Sequence, residues 1–94
     1  MYVAIIDMPL KEEMEAEFKA WITETNKVLS KNPGFVGRRL GKSSDGKYII
    51  IAEFENEEAH HKIHQTPEHQ QIAMQLMKFL KQGPSRKFYD IISQ

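Results

Sequence analysis

Apolar residues follow the period of a strand at the start of the chain and the period of a helix directly after it. Tyr2 to Ile6 is a short β-branched run ended by Asp7 and Pro9, and it predicts the first strand. From Leu10 to Leu29, apolar residues recur every three or four positions, which predicts an amphipathic helix. Pro9 suits the first helical position, and Asn32-Pro33 stops the helix.

Two extended runs follow this helix, Phe35 to Lys42 and Lys47 to Glu55. The segment between them ends in Asp45-Gly46, a pair that tolerates the positive φ angles of a tight reversal. The two runs therefore predict an antiparallel hairpin.

The second strand of this hairpin is apolar on both faces, because successive side chains of a strand point to opposite sides of the sheet. One face carries Tyr48, Ile50, Ala52 and Phe54, and the other carries Ile49, Ile51 and Glu53. Helices on one side of a sheet cover one face only. We expect the sheet of a partner subunit to cover the other face, in a homodimer.

Two helical segments precede the last strand. Asn56 is a good N-cap for a helix that runs to about Gln65. Thr66 caps a second segment, Pro67 occupies its first position, and Gly83-Pro84 terminates it. Lys87 to Ile92 is predicted as the last strand. The apolar stripe of the second segment comprises His69, Ile72, Ala73, Leu76, Met77 and Leu80.

The order βαββαβ predicts an α+β, ferredoxin-like fold, in which a four-stranded antiparallel sheet carries the helices on one face. The 94 residues show no shift in composition, which predicts a single domain over 1–94. Thirteen basic and thirteen acidic residues cancel, so nucleic acid is not an expected partner. No apolar run reaches about 18 residues, so no membrane partner is expected either. The absence of cysteine fits a cytoplasmic location.

Several stretches, taken together, resemble one known family. They are Asn32-Pro33-Gly34-Phe35-Val36-Gly37-Arg38-Arg39-Leu40, Asp45-Gly46-Lys47-Tyr48, Phe54-Glu55-Asn56-Glu57-Glu58-Ala59, Thr66-Pro67-Glu68-His69 and Lys87-Phe88-Tyr89. Their order and spacing resemble the antibiotic-biosynthesis monooxygenase family of dimeric α/β barrels. The resemblance covers nearly the whole chain, and it implies a homodimer whose two sheets pack face to face.

The resemblance also implies a chemistry. Members of that family oxidise quinols or polyketide aromatics with oxygen and without a bound cofactor, so it implies a monooxygenase acting on a small aromatic substrate between sheet and helices. A related branch degrades haem in the same cleft and uses an asparagine, a tryptophan and a histidine to do so. By spacing, the place of the asparagine is held here by Ile5, Ile6 or Asp7. The tryptophan corresponds to Ile63 and the histidine to Ala73. Haem binding through another ligand, and a non-catalytic dimer that binds a small ligand, are the alternatives.

His69 and Asp7 are the candidate catalytic residues. His69 lies on the apolar stripe and should point toward the sheet, where a neutral imidazole could hydrogen-bond a substrate hydroxyl or act as a base. A packing role near the helix start is its alternative. Asp7 could accept a proton at the mouth of the cleft, or it could serve only in a turn.

Arg38 and Arg39 are candidate substrate-binding residues that must face opposite sides of the sheet. The one that faces the cleft could hold a phenolate or carboxylate, whereas an intersubunit salt bridge with Glu53 or Asp90 is the structural alternative. The other candidate lining residues are Trp21, Ile63, Ala73 and Met77, which would suit a flat aromatic ligand or simply belong to the core. Tyr48 and Tyr89 are expected in dimer packing.

Three further histidines stand close together on the first of the two helical segments. His60 and His64, or Glu57 and His61, have the spacing of zinc ligands on a helix. If Ala59 and Ile63 define the buried side, however, His61 and His64 project into water and His60 lies at the border. We therefore expect no metal site.

Overall fold

The computed structural model describes all 94 residues and shows a four-stranded antiparallel sheet with its helices on one face. The strands are β1 (Tyr2–Met8), β2 (Phe35–Lys42), β3 (Tyr48–Phe54) and β4 (Ser85–Asp90), in the spatial order β2-β3-β1-β4. The helices are α1 (Glu15–Leu29), α2 (Glu57–His64) and α3 (Pro67–Leu76), and short 3₁₀ turns span Glu12–Met14 and Met77–Phe79. The predicted ferredoxin-like fold is confirmed. None of the helices has the length and apolar character needed to cross a membrane.

The hydrophobic core lies between the sheet and the helices. Alternate residues of β1 and β3 face it, and the largest side chains that are fully enclosed are Phe18, Ile50 and Ile63. The same core includes Tyr2, Ala4, Met8, Ala52, Phe54, Ile22, Leu29, Ile72, Leu76 and Phe79. This layer fixes the positions of the side chains that α2 and α3 present to the sheet.

The opposite face of the sheet carries a second apolar patch. Ile5 is paired with Ile51 at its centre, and Ile49 lies beside them on β3. Val3 is buried among its sheet neighbours but does not belong to the core cluster. This outer face, defined here by Val3, Ile5, Ile49 and Ile51, has no helix over it, as the two-faced apolar pattern of β3 predicted.

The predicted turn and cap residues take the predicted roles. Gly46 has a φ of +85° in the hairpin loop. The Asn56 side chain accepts a hydrogen bond from the Ala59 backbone N–H at 2.8 Å, and Thr66 Oγ1 accepts one from the His69 N–H at 3.2 Å. Because side-chain oxygens satisfy the free N–H groups of a first helical turn, these caps fix where α2 and α3 begin.

The start of the first helix was predicted too early. Pro9 does not begin a helix, because the segment from Pro9 to Lys11 is extended and pairs with residues 79–81 near the end of the chain. The Lys11 N–H donates to the carbonyl of Phe79 at 2.9 Å, and the Lys81 N–H donates to that of Pro9 at 2.8 Å. Helical structure therefore begins only at Glu12, after β1 has continued to Met8.

The predictions for the last strand and for Tyr48 also need correction. β4 spans Ser85–Asp90 rather than 87–92, since Ser85 already pairs with Asp7 of β1. Tyr48 does not contribute to an outer dimer surface, because it lies on the inner face and is buried. Its hydroxyl donates to Glu15 Oε1 at 2.5 Å. Tyr89 does lie on the outer face of the sheet and is exposed.

Candidate functional site

A cavity of about 60 Å³ lies between the inner face of the sheet and the three helices. Fourteen of its 19 lining residues are hydrophobic, and the other five are Arg38, His60, His64, His69 and Arg86. No aspartate or glutamate is among them. The site is therefore an apolar chamber whose polar groups are imidazoles and guanidinium groups alone.

His60 of α2 is the most enclosed of these polar groups, with 6% of its surface exposed. Its ring lies among the rings of Tyr2, Phe54 and Phe88 at centroid distances of 5.3, 5.0 and 5.0 Å. Neither ring nitrogen has a hydrogen-bond partner. Burial, together with the neighbouring His64, lowers the pKa of His60 to about 4, so the ring is neutral at pH 7.

His64 and His69 continue from His60 as a row of stacked imidazoles. The ring centroids of His60 and His64 are 3.9 Å apart, and so are those of His64 and His69. The Nδ1 of His64 lies 2.9 Å from the carbonyl oxygen of His60, which places the proton of the neutral ring on Nδ1 because a carbonyl only accepts. Burial and the nearby His64 lower the pKa of His69 to about 4, and burial also lowers that of His64.

Arg38 of β2 enters the cavity under α1. Its Nε donates to Asn26 Oδ1 at 2.6 Å, and its Nη2 donates to Thr25 Oγ1 and, at 3.5 Å, to the carbonyl of Ile22. The guanidinium carbon lies 5.8 Å from the centre of the Trp21 ring. Burial lowers the pKa of Arg38 to about 10, so the group still carries its charge at pH 7.

Arg86 and Phe88 mark the side on which the cavity meets solvent. Both belong to the edge strand β4, all six residues of which are exposed. The enclosed volume is small beside the roughly 300–1,000 Å³ of ordinary ligand pockets. An aromatic ring therefore enters only if the cleft widens. Widening on the side of β4 would expose the least buried surface, because the residues of β4 are already exposed.

Five of the eight predicted site residues line this cavity, namely His69, Arg38, Trp21, Ile63 and Ala73. The other three do not. Asp7 and Arg39 lie on the outer face, because they alternate with Ile6 and Arg38; Asp7 accepts a hydrogen bond from the Ser85 hydroxyl, and Arg39 pairs with Glu53 at 2.9 Å. Met77 is in the 3₁₀ turn after α3 and is 49% exposed.

Sequence reasoning missed His60, His64 and Arg86. The buried side of α2 is centred on His60 and Ile63, not on Ala59 and Ile63 as expected. Only His61 of the three behaves as predicted, exposed and 3.5 Å from Glu57. The row of imidazoles does not form a metal centre, since no group of three histidine, aspartate or glutamate side chains converges as ligands would. The spacing of His60 and His64, one helical turn apart, was the signal that these two residues share a face.

Comparisons with known proteins agree with this fold. A sequence model of the family described as antibiotic biosynthesis monooxygenase matches residues 1–75. SnoaB, a cofactor-independent oxygenase from Streptomyces nogalater solved as a mutant, superposes with a TM-score of 0.84 at 18% identity, covering 99% of this chain and 94% of that one. A Nitrosomonas europaea protein named for the same family gives 0.81 at 14% identity, with 99% and 100% covered. No curated protein matches the sequence significantly.

Proposed function

The chain belongs to the antibiotic biosynthesis monooxygenase family, and from that premise we propose that it oxidises a small electron-rich aromatic or quinol with oxygen and without a bound cofactor. The observation that carries the proposal is the position of His69, a neutral imidazole on the wall of an otherwise apolar cavity. The likeness to SnoaB, which is a cofactor-independent oxygenase, supports the same chemistry in this fold.

The role of His69 in this proposal is to take the phenolic proton of the substrate. A base with a pKa of about 4 is weak; burial is the main cause of this low pKa, and nearby positive charge, which includes Arg38, adds to it. The same positive charge stabilises a phenolate, so it lowers the pKa of the substrate together with that of the base. The effects of this positive charge on base and substrate therefore offset each other, and the part of the shift that comes from burial remains as the cost of the proton transfer.

The resulting anion reduces oxygen directly. In this scheme a quinol gains one oxygen atom and loses two hydrogens, becoming a hydroxyquinone, while the second oxygen atom leaves as water. The substrate supplies all four electrons, so no external reductant is needed. Trp21 and Ile63 would hold the ring in place, and the apolar walls would exclude water from the anion.

Oxygen uptake with a panel of hydroquinones tests this proposal. We expect consumption above spontaneous autoxidation for at least one member, and a loss of about 100-fold in His69→Phe. His61→Phe is the matched control, because His61 is exposed on the neighbouring helix. Silence across the panel would favour a non-catalytic dimer that binds a small ligand.

We also propose that the chain works as a homodimer whose two outer faces pack together. The outer face places four aliphatic side chains together, with the Arg39–Glu53 ion pair beside them. An apolar centre with a polar rim is typical of protein interfaces.

A further inference from the structure

The charges around the cavity are all of one sign. Arg38 and Arg86 reach it from the two edge strands of the sheet, and none of its 19 lining residues is acidic. None of the six ion pairs of the chain includes either arginine. A guanidinium group withdrawn from water usually has an anionic partner, because its lost hydration must be replaced.

Arg38 is held in a fixed position by neutral groups. Asn26, Thr25 and the carbonyl of Ile22 accept from Nε and Nη2, whereas Nη1 has no hydrogen-bond partner. These acceptors orient the guanidinium group without neutralising its charge. A planar group held in this way, with a free nitrogen, is suited to binding a carboxylate or phenolate oxygen.

His60 provides a second, independent observation. It is nine-tenths buried on the cavity wall, and both of its ring nitrogens lack partners. A phenylalanine would fill the same aromatic cage without the cost of an unsatisfied polar group, so packing alone does not account for a histidine here. A polar ligand in the cavity would give this ring a hydrogen-bond partner.

We propose that the substrate of this site is a single-ring aromatic acid bound as its anion, with Arg38 as the inner anchor and Arg86 at the mouth. This proposal specifies the substrate of the proposed function. It depends on that function only for the location of the site and for the aromatic nature of the substrate. His69 lies in the field of both arginines and His60 in that of Arg86. An anion there would face no negative side chain, and the apolar walls would receive its ring.

Trp21 allows the proposal to be tested without measuring catalysis. It is the only tryptophan of the chain, it lines the cavity, and its Nε1 donates to Gln75 at 3.0 Å. Its fluorescence is titrated with benzoate and with benzamide, two probes of nearly equal shape that differ in charge. We expect benzoate to bind at least about tenfold more tightly, as charge-assisted hydrogen bonds require.

Variants identify the anchor. Arg38→Gln removes both the charge and the fork of donors, and we expect it to lose most of the preference for benzoate. Arg39→Gln is the matched control, since it changes the same residue type one position along β2 on the opposite face. Equal affinity for the two probes, binding of neither, or a preference that survives in Arg38→Gln would overturn the proposal. Thermal unfolding shows that each variant is folded.

These outcomes are separate from those of the oxygen-uptake experiment. Benzoate binding through Arg38 with no oxygen consumption on any quinol, including hydroquinones that carry a ring carboxylate, would leave the anion site in place and remove the monooxygenase assignment. Oxygen consumption with equal binding of benzoate and benzamide would support the monooxygenase assignment and remove the anion site.

Discussion

The imidazole of His60 lies in an aromatic cage where neither of its nitrogens is satisfied. Replacing it with phenylalanine removes a buried polar group and keeps a ring of similar shape. We expect His60→Phe to raise the free energy of unfolding by about 1–3 kcal/mol, measured by urea denaturation. His61→Phe, at an exposed position, should change it by less than about 0.5 kcal/mol. A clear destabilisation in His60→Phe would mean that the native ring has polar partners.

The histidine row also predicts how stability depends on pH. His60 and His69 have a pKa of about 4 in the folded chain, below the 6.5 of an unperturbed histidine. Between pH 4 and pH 6.5 the unfolded state binds more protons than the folded state. The contribution of these histidines to the free energy of unfolding is therefore fully present above pH 6.5 and is lost as the pH is lowered toward 4. Urea denaturation at pH 7.5, 6 and 5 should show this fall, with a smaller slope in His60→Phe than in His61→Phe. Equal slopes would contradict the assignment.

At the level of single residues, the sequence predicted which kinds of side chain serve the site better than it predicted which face of the sheet they point to. Strand alternation required Arg38 and Arg39 to face opposite sides, but it could not decide which one faces the cleft. The structure decides it through α1, where Thr25 and Asn26 offer acceptors that only Arg38 can reach. Thr25 lies on the buried stripe of α1, where the spacing of the residues predicts packing and gives no sign that its hydroxyl serves as an acceptor.

Among the connections between elements, the turn from α1 to β2 depends on Gly34. This residue has a φ of +86°, and a Cβ added to it would lie 2.4 Å from the Cβ of Ala59 in α2. Gly34→Ala therefore combines backbone strain with a clash, and we expect a loss of about 1–3 kcal/mol or more in urea denaturation. Gly83→Ala, where the added methyl group meets nothing within 4 Å, is the control. Adding Ala59→Gly to Gly34→Ala should restore only part of the loss, since it relieves the clash and not the strain.

Glu15 ties the start of α1 to the β2–β3 hairpin. Its carboxylate accepts hydrogen bonds from Lys42 Nζ at 2.9 Å and from the Tyr48 hydroxyl at 2.5 Å. The bond from Lys42, followed by that from Tyr48, lowers the pKa of Glu15 to about 2. Stabilisation by this carboxylate is thus present above pH 4.5 and is lost as the pH falls toward 2.

We accordingly expect Glu15→Gln to lower the melting temperature at pH 7, and the difference from the wild type to shrink as the pH is lowered from 4.5 to 2. Differential scanning calorimetry across this range measures it. Glu13→Gln serves as the control, because Glu13 is exposed and has no ion pair. A difference that does not change with pH would show that the charge of Glu15 is not what stabilises this junction.

Elements with local signals were predicted well, and those decided by distant pairing were not. Asn56, Thr66 and Gly46 act within a few residues of themselves, so their roles could be read from the sequence. The start of α1 depends instead on residues 79–81, which lie about 70 positions away and hold the segment from Pro9 to Lys11 in an extended form. Pro9 is compatible with either outcome, and only the tertiary structure distinguishes them.

At the scale of the whole molecule, the alternation along β3 predicted a sheet that is apolar on both sides, and the structure has this property. The inner side is covered by the helices, whereas Ile5, Ile49 and Ile51 remain partly exposed on the outer side. Because each of them is already mostly buried, covering the rest of its surface would contribute only a fraction of the roughly 1.5–3 kcal/mol of a full burial. A small domain buries a smaller fraction of its surface on folding than a large one, and association with a second copy adds to that buried surface.

Ile51, which pairs with Ile5 at the centre of the outer face, is the position at which a substitution best tests the dimer. We expect the wild type to sediment as a dimer at micromolar concentration, and Ile51→Glu to weaken the dimer by at least about 100-fold, because the apolar centre of the interface would then have to bury a carboxylate from each subunit. Met74→Glu, on an exposed position of α3, should leave the dimer intact. Circular dichroism must show that Ile51→Glu is still folded, which the inner core permits since Ile51 does not belong to it. A wild type that sediments as a monomer, with these isoleucines in contact with water, would rule out face-to-face packing of two sheets.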